Sequence, residues 1–571
     1  MLVDDASTTQ PIPKGPNSME SLVSRSYRRH LLLLFSLLLL AIWSQALSQH
    51  QKKQIETDEG CTSIMVGRLA SADGSVMVGH TCDGNYRTWL NIVPHKKHDK
   101  GATRKIYWGN LHTEYVTDMR GKILKGEIPD VEETYSYVNV AYPCLNEKQL
   151  AFGETTINGR DELRNDEGMF LIEELQSIAL ERCTTAREAI RLMGSLATKY
   201  GYGDWGECLT VADTKEVWQF EIFGAGPAEK GAVWAAVRIP DDHIGVSANI
   251  PRIRELNIKD SEHYMASENV FSLAKEMKWW DEKKGEPFKF WKAYSGRKPF
   301  STRELYLLKS FAPSLNLSMD AQELPFSVKS ERKVSVQEVL KMYRETYEGT
   351  DNDMTKNLLV PKQRSREEFV KDSIAGKAPE MLKSTIANPW MSRELMTLLN
   401  ALKPGTVPPT RTIAIARCSY SQLVQLRGWL PNEIGGVAWF SFDNPAQSPR
   451  FPIFAGALEL PKSFEVCGQQ KYREDAATWW FRRANRLATI QWGRTRSIVE
   501  KAALEFEGKG LSDLPFVEQR VQEMLKSDGS DAGHQKVREY LTTYTNDIAR
   551  AAMLKWWELG DQFLGMFSGG F

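Results

Sequence analysis

The sequence predicts an α+β fold in which antiparallel sheets pack against helices. Between residues 61 and 255, short apolar runs rich in β-branched residues alternate with turn residues, a pattern typical of strands. Two adjacent segments, 168–182 and 185–200, instead carry apolar residues at helical spacing. The strands that follow these helices are joined by short turns, so we expect them to be antiparallel.

The first folded element is a predicted β-hairpin. Two apolar runs within residues 62–78 flank Asp73-Gly74, a dipeptide that strongly favours a hairpin turn. A turn at this position returns residues 80–83 to the start of the first strand. Cys61 therefore lies at the mouth of the hairpin, next to a polar cluster from the second strand.

The later elements follow from the same two patterns. Thr184 or Thr185 is an N-cap candidate for the second helix, with Glu188 placed for a capping box. A further helix over residues 336–347 is predicted to begin after Ser335. The other predicted strands are residues 135–141, 149–155, 208–212, 217–223, 232–239, 244–247, 412–416, 422–425 and 436–442.

The end of the chain differs in pattern from the rest. After Phe464 the sequence is predicted to be helical, and residues 461–571 are expected to form a helical C-terminal region. Two Trp pairs in it, Trp479-Trp480 and Trp556-Trp557, are predicted packing anchors, because aromatic side chains bury large areas.

Composition and charge exclude several classes of function. The 571 residues are 42% hydrophobic and 26% charged, which are ordinary values for a globular protein. The 73 basic residues balance the 73 acidic ones, and the sequence has no phosphate-binding loop or basic-aromatic groove. The seven Cys show no metal-ligand spacing. We therefore expect no nucleic acid partner, no metal and no organic cofactor, and a homo-oligomer is compatible with the sequence.

Residues 1–60 have the composition of a removable leader. We expect residues 1–30 to be a disordered extension and residues 31–48 to be the hydrophobic core of a signal peptide, because a basic flank precedes a short apolar run. Residues 49–60 are polar and are predicted to be a propeptide. The alternative is an uncleaved signal anchor, in which residues 31–47 attach the protein to a membrane.

These features predict a protein of the secretory pathway, either secreted, in a lysosomal or vacuolar lumen, or anchored to the membrane. Asn316 begins an N-glycosylation sequon, which is usable only if this segment is lumenal. In such a compartment the six Cys other than Cys61 could form up to three disulfides.

Cys61 is the candidate nucleophile. At the start of a cleaved chain it would carry both a thiol that attacks and an α-amine that accepts the proton. An α-amine titrates at about 7.7–8.0 and a free thiol at about 8.5, so both are close to working pH. This chemistry requires that the bond between Gly60 and Cys61 be cut, either by autoprocessing or by another protease, because an amide nitrogen is not a base. A buried or disulfide-bonded Cys61 is the structural alternative.

Several short blocks follow one another in a distinctive order. They are CTSI at 61–64, ADGS at 72–75, HTCD at 80–83, FGETT at 152–156, YGYG at 200–203, GECL at 206–209, VWQFE at 217–221, VSANIP at 246–251 and QLR at 425–427. Together they resemble the cysteine dipeptidases of the dipeptidase A type, which are N-terminal-nucleophile (Ntn) hydrolases related to bile salt hydrolase and penicillin V acylase. The resemblance implies an αββα sandwich with helical elaborations and a hydrolase domain with insertions at residues 61–460.

The resemblance also implies roles for individual residues. Cys61 matches the nucleophile, Asp83 matches the aspartate that orients the free amine, and Asn249 matches the asparagine that supports the oxyanion hole. Many relatives have Arg where this chain has His80. His80 either polarises the thiolate or is a packed polar residue.

Two further residues are predicted to bind substrate. They are Glu154 and Thr155, and Glu154 is the expected partner for a substrate's free amino group. Acylase relatives have an Asn near this stretch, and none stands here, so we expect a backbone N–H as the second oxyanion donor.

The sequence therefore predicts a cysteine-nucleophile dipeptidase that hydrolyses small peptides through an acyl-enzyme on Cys61. One alternative is an amidase or acylase of the same fold that acts on non-peptide amides, such as an N-acyl amino acid or a lactam. Another is a catalytically inactive binding protein of this fold, which the His80 difference keeps open.

Overall fold

The computed structural model describes residues 60–226, 231–296 and 300–569. The predicted extension, the predicted signal core and all of the predicted propeptide except Gly60 lie outside the described residues. Within these ranges, the two largest sheets have seven and eight strands. No helix in the same ranges is long and apolar enough to cross a membrane.

The strands are labelled in chain order. They are β1 (Thr62–Val66), β2 (Val76–Asp83), β3 (Asn91–Val93), β4 (Lys96–Lys97), β5 (Thr103–Trp108), β6 (Ile123–Pro129), β7 (Glu133–Thr134), β8 (Tyr137–Asn139), β9 (Leu145–Asn146), β10 (Ala151–Thr156), β11 (Glu207–Ala212), β12 (Val217–Gly224), β13 (Ala232–Ile239), β14 (His243–Ser247), β15 (Tyr264–Ala266), β16 (Ser327–Lys329), β17 (Leu359–Pro361), β18 (Met381–Lys383), β19 (Cys418–Leu426), β20 (Gly436–Phe442) and β21 (Phe451–Phe454).

The helices are labelled in the same way. They are α1 (Ile172–Arg182), α2 (Ala186–Tyr200), α3 (Ser272–Glu276), α4 (Phe290–Tyr294), α5 (Thr302–Phe311), α6 (Val336–Tyr343), α7 (Arg366–Ile374), α8 (Arg393–Leu402), α9 (Asn432–Gly435), α10 (Ala477–Ile490), α11 (Trp492–Ser527) and α12 (Asp531–Met566). Short 3₁₀ helices cover Asn110–His112, Asp161–Leu163, Glu282–Lys284 and Lys462–Glu465.

The seven-stranded sheet is built around the predicted hairpin. Its strand order is β16-β14-β1-β2-β19-β20-β21, and neighbouring strands are antiparallel. In the hairpin, Thr62 pairs with Thr81 and Val66 pairs with Met77, so β2 returns along β1 as predicted. Because β1 and β2 lie in the interior of this sheet, every side chain in both strands is buried.

The eight-stranded sheet has the order β15-β13-β12-β11-β10-β9-β8-β3. Strands β10 to β13 pair in antiparallel register with their neighbours, which confirms the antiparallel arrangement expected from the short turns. The sheets contact each other mainly where β10 and β11 cross β1 and β2. The approach is close, because a Cβ on Gly153 would lie 3.0 Å from the backbone oxygen of Gly79.

Helices cover both sheets. Helices α1 and α2 share a hydrophobic core with the eight-stranded sheet, and α2 contacts β11, β12 and β13. On the seven-stranded sheet, α5 packs against β14 and α6 packs against β19. The C-terminal helices α10, α11 and α12 pack against β20 and β21.

The local capping signals correctly identify where helices begin. Thr185 caps α2 and forms a capping box with Glu188. Ser335 caps α6 in the same way, although α6 ends at Tyr343, earlier than predicted. Beyond residue 464 the chain is helical from 477 to 566 except for short connections, as the sequence predicts.

The two Trp pairs pack as predicted. Trp556 is fully buried in the core of the protein. The rings of Trp480 and Trp557 contact each other with centroids 5.0 Å apart, and the Trp479 indole donates to the Gly468 carbonyl. These rings therefore join α10 to α12.

The predicted strand over residues 412–416 is wrong. Thr412 Oγ1 donates to the Ala414 carbonyl at 2.6 Å, and the Ala414 backbone N–H donates to the Glu345 carbonyl, so the segment bends instead of joining a ladder. Its apolar residues are buried, and burial accounts for the pattern that resembles a strand. The bend has a consequence for the site, because it carries Arg411.

Candidate active site

The hairpin register fixes the neighbours of Cys61, which directly precedes β1. Thr62 pairs with Thr81, and one position further the register places Cys61 opposite Cys82. Cys61 is 1% exposed. The neighbouring Cys82 thiol, burial and the negative charge of Glu154 raise the pKa of the Cys61 thiol well above its usual value. The thiol therefore keeps its proton unless a base removes it.

The residue before Cys61 is tightly held. The Gly60 carbonyl accepts hydrogen bonds from Arg411 Nη2 at 2.6 Å and from Arg303 Nη1 at 3.3 Å. Gly60 has φ +136°, and a Cβ at this position would lie 2.3 Å from Asn249 Oδ1. Only glycine fits here without displacing Asn249.

Arg303 connects the nucleophile to the predicted oxyanion residue. Its Nη1 donates to the Cys61 carbonyl at 2.7 Å and to Thr62 Oγ1 at 3.0 Å. Its Nη2 donates to the Ala248 carbonyl at 3.2 Å and to Asn249 Oδ1 at 3.0 Å. The sequence analysis missed Arg303, although a capping box places it in the first turn of α5.

Asp83 lies at the end of β2 and forms a buried ion pair. Its Oδ2 accepts from Arg411 Nη2 at 2.8 Å and from Thr81 Oγ1 at 3.1 Å. The Arg411 and Asp83 side chains are 4% and 0% exposed. Asp83 Oδ1 is buried and has no hydrogen-bond partner within the described part of the chain. The sequence analysis missed Arg411, which directly precedes the segment that was predicted to be a strand.

Asn249 follows β14 in a left-handed conformation, with φ +65°. Such a conformation is uncommon outside glycine, and it is tolerated best by Asn and Asp. Asn249 Nδ2 donates to the Thr156 carbonyl at 2.8 Å, and Oδ1 accepts from Arg303. Contacts to β10 and to α5 therefore fix the orientation of the amide.

His80 is fully buried and uncharged. Gln422 Nε2 lies 3.1 Å from Nδ1, and the Tyr420 hydroxyl lies 3.2 Å from Nε2. Burial lowers the pKa of His80 to about 3. The imidazole therefore carries no positive charge that could stabilise a thiolate near neutral pH.

The two predicted substrate-binding residues point to different neighbours. The Glu154 carboxyl accepts from Thr156 Oγ1 at 3.1 Å, and its charge contributes to the raised pKa of the Cys61 thiol. Thr155 Oγ1 lies 2.6 Å from the Ser247 hydroxyl in the other sheet. Glu154 is thus beside the candidate nucleophile, and the Thr155 hydroxyl is engaged between the sheets.

All seven Cys are buried and are free thiols, so none of the three disulfides that the sequence allows is formed. Among the described residues, no group of three or more His, Cys, Asp or Glu side chains is arranged to hold a metal ion.

Comparisons with known proteins agree on one class. A probable dipeptidase of Latilactobacillus sakei is 24% identical over 506 residues, which cover 80% of this chain and 90% of that protein. A probable dipeptidase of Salmonella dublin is 27% identical over 409 residues, covering 69% and 81%. Dipeptidase A of Lactobacillus helveticus is 21% identical over 508 residues, covering 86% and 94%. The chain is therefore similar in sequence, over most of its length, to proteins named dipeptidases.

The pattern of peptidase family C69 matches residues 60–505, and the chain belongs to this family. The match begins one residue before Cys61 and includes every strand of both large sheets. The family assignment confirms the resemblance that the sequence blocks indicate.

Proposed function

We propose that this protein is a dipeptidase that uses Cys61 as its nucleophile after residues 1–60 are removed. The observation that carries the proposal is the position of Cys61 at the mouth of the hairpin, where Asp83, Asn249 and Arg303 converge around the bond that would be cut. The relatives named dipeptidases support the substrate class. The face-to-face contact of two antiparallel sheets covered by helices supports an Ntn-type αββα sandwich.

The first chemical step needs a base near the sulfur. Once the bond after Gly60 is cut, the new α-amine of Cys61 accepts the thiol proton, and the thiolate attacks the peptide carbonyl. Asp83 is placed to orient this amine, because its buried Oδ1 lacks a partner among the described residues and the Asp83 backbone carbonyl accepts from Gly60 N–H at 3.2 Å. Arg411 holds the Asp83 carboxyl in position through the buried contact at 2.8 Å.

The oxyanion formed by this attack needs hydrogen-bond donors. Asn249 Nδ2 carries two hydrogens, and one of them serves the Thr156 carbonyl. The second hydrogen and the guanidinium of Arg303 are our proposed donors, and loss of one such donor costs about 3–4 kcal/mol of transition-state stabilisation. The amine then returns the proton to the leaving group, and water that it activates releases the first amino acid from Cys61.

His80 supports the site through packing. Because its ring is neutral and hydrogen bonded to Gln422 and Tyr420, we assign it the role of holding β2 against β19. Thr155 has a similar role, since its contact with Ser247 aligns β10 with β14.

The contacts of the Gly60 carbonyl support autocatalytic removal of the leader. The Cys61 thiol adds to this carbonyl, the bond to the Cys61 nitrogen breaks, and the nitrogen takes the thiol proton. Water then hydrolyses the resulting thioester, which frees the Gly60 carboxylate and restores the thiol. Arg411 and Arg303 already donate to the oxygen that becomes negative in this step.

A location in the secretory pathway, with residues 31–48 as a signal peptide or anchor, is part of the same proposal. Asn316 lies in an exposed loop between α5 and β16, so its sequon is accessible to glycosylation in a lumenal compartment.

The proposal is tested with purified protein from a secretory expression host. We expect the intact mass to correspond to a chain that begins at Cys61. We also expect this purified protein to hydrolyse dipeptides. Cys61→Ala should abolish hydrolysis, and Cys61→Ser should leave a slower enzyme if its leader is removed. Cys183→Ala is a matched control, because Cys183 is also buried but lies at the end of α1.

Three results would contradict the proposal in different ways. Full activity of Cys61→Ala would end the role of this thiol as nucleophile. An active wild-type chain that still carries Gly60 would remove the amine from the mechanism. Hydrolysis of N-acyl amino acids or lactams but not of dipeptides would refute the proposed substrate class. The proposed role of Cys61 as nucleophile would still stand.

A further inference from the structure

Two buried carboxyls on neighbouring strands, here called the carboxyl pair, lie beside the candidate nucleophile. They belong to Glu154 in β10, which is 0% exposed, and Glu207 in β11, which is 1% exposed. In the ladder Thr156 pairs with Glu207, and Glu154 lies on the same face of β10 as Thr156. Burial and the charge of Glu154 raise the pKa of the Glu207 carboxyl well above its usual range, as expected for two carboxyls that are close neighbours.

Each member of the pair also has an oxygen that lacks a partner. Within the described ranges, Oε2 of Glu154 and Oε2 of Glu207 are buried and make no hydrogen bond. Buried polar atoms are nearly always paired, so these two oxygens mark a place where a donor is missing. Arg87, a buried cation, does not supply it, since it donates to the Val140 carbonyl at 2.6 Å and lies over the Trp89 ring.

The groups around the carboxyl pair are acids and phenols. Asp204 is buried, and burial raises its pKa. Burial, together with the charges of the pair, also raises the pKa values of Tyr86, Tyr142 and Tyr202. Such surroundings repel an anion and stabilise a cation that donates hydrogen bonds.

The position of the pair relative to the sulfur indicates which cation it binds. The charge of Glu154 contributes to the raised pKa of the Cys61 thiol, so its carboxyl is close to the reacting atoms. When Cys61 attacks a peptide, the carbonyl carbon of the first residue joins the sulfur, and only Cα separates that carbon from the α-nitrogen. A free α-ammonium of the first residue therefore comes within hydrogen-bonding reach of Glu154.

We propose that the carboxyl pair is the subsite for the free α-ammonium group of the substrate's first residue, with Glu207 as a specificity-determining residue beside Glu154. This inference rests on the proposed function and adds to it the requirement for a free amino terminus. One ammonium supplies the donors that the two oxygens lack and neutralises the charge that the pair retains. An acylated nitrogen carries no charge, and it is therefore a poor ligand for this subsite.

The test compares a dipeptide with its N-acetyl derivative and with its desamino analogue. We expect the wild-type enzyme to prefer the free dipeptide in kcat/KM. Glu207→Gln should lower kcat/KM for the free dipeptide about 10- to 100-fold, mostly through KM, as expected for loss of one charge-assisted hydrogen bond. Hydrolysis of the two analogues that lack the ammonium should change little. Glu433→Gln is the control. The Glu433 carboxyl lies in α9, outside the carboxyl pair, and contacts His534 Nδ1 at 2.7 Å.

The outcomes separate this inference from the function on which it rests. If Glu207→Gln leaves the ratio of free to N-acetyl dipeptide unchanged, the subsite is refuted while the dipeptidase stands. Wild-type enzyme that cleaves both substrates equally refutes the subsite without any variant, so the test does not depend on the folding of Glu207→Gln. A wild-type enzyme that cleaves no dipeptide refutes both.

Discussion

Replacing Arg411 with Met tests whether its guanidinium organises the site. The side chain keeps its length and loses a buried ion pair with Asp83, at 2.8 Å, and a hydrogen bond to the Gly60 carbonyl, at 2.6 Å. Breaking a buried pair by removing one partner costs about 3–5 kcal/mol, because the remaining charge is left uncompensated. We therefore expect a loss of this size in the free energy of unfolding, together with slower turnover from a misplaced Asp83.

The stability measurement needs a chain in the same covalent state as the structure. Urea unfolding is therefore compared in a Cys61→Ala background, after intact mass confirms that Gly60 is still attached. Adding Asp83→Asn completes a double-mutant cycle. If the charge of Asp83 causes the loss, the double variant should be more stable than the sum of the single changes predicts, by about 1–3 kcal/mol.

Turnover is measured in the mature enzyme with a matched control. Arg482→Met breaks a comparable buried pair with Asp443, at 2.7 Å, whose side chains are 8% and 0% exposed. This control should lose stability and keep its turnover, whereas Arg411→Met and Asp83→Asn should both turn over more slowly. Equal turnover in Arg411→Met and Arg482→Met, or an additive cycle, would show that Arg411 does not act through Asp83.

Two further predictions concern the same region. Burial lowers the pKa of His80 to about 3, so His80 contributes stability that is present above its unfolded pKa of about 6.5 and is lost as pH falls. From about pH 7 to about pH 5, urea unfolding of the wild type should lose about 2 kcal/mol more than that of His80→Gln, and parallel losses would contradict a neutral ring. Gly60→Ala should retain the leader by intact mass, because its Cβ would lie 2.3 Å from Asn249 Oδ1. Gly101→Ala is the control, because Gly101 also has a positive φ, +82°, but a Cβ there would have no atom within 4 Å. Leader removal in Gly101→Ala should therefore be normal. Normal leader removal in Gly60→Ala would refute the steric argument.

Local sequence determined the elements that depend on near neighbours. The two apolar runs on either side of Asp73-Gly74 indicated the hairpin, and its register, in which Val66 pairs with Met77 across a long connection, puts Cys61 beside the end of β2. Caps at Thr185 and Ser335 fixed two helix starts, since a capping box involves only residues three positions apart. The order of the sequence blocks was sufficient to indicate the family, and the resemblance gave Cys61, Asp83 and Asn249 as candidate site residues.

Only the tertiary structure decided which distant charges meet at the site. Arg303 and Arg411 are far from Cys61 in sequence, and nothing in their neighbours distinguishes them from other arginines. The apolar pattern of residues 412–416 indicated a strand, but the segment is buried and bent instead. The preceding residue, Arg411, contacts Asp83. Glu207 became a diagonal neighbour of Glu154 through the ladder between β10 and β11, since pairing register depends on the assembled sheet. Local signals report turns and caps, whereas the ion pairs of a buried site depend on how the sheets and helices pack.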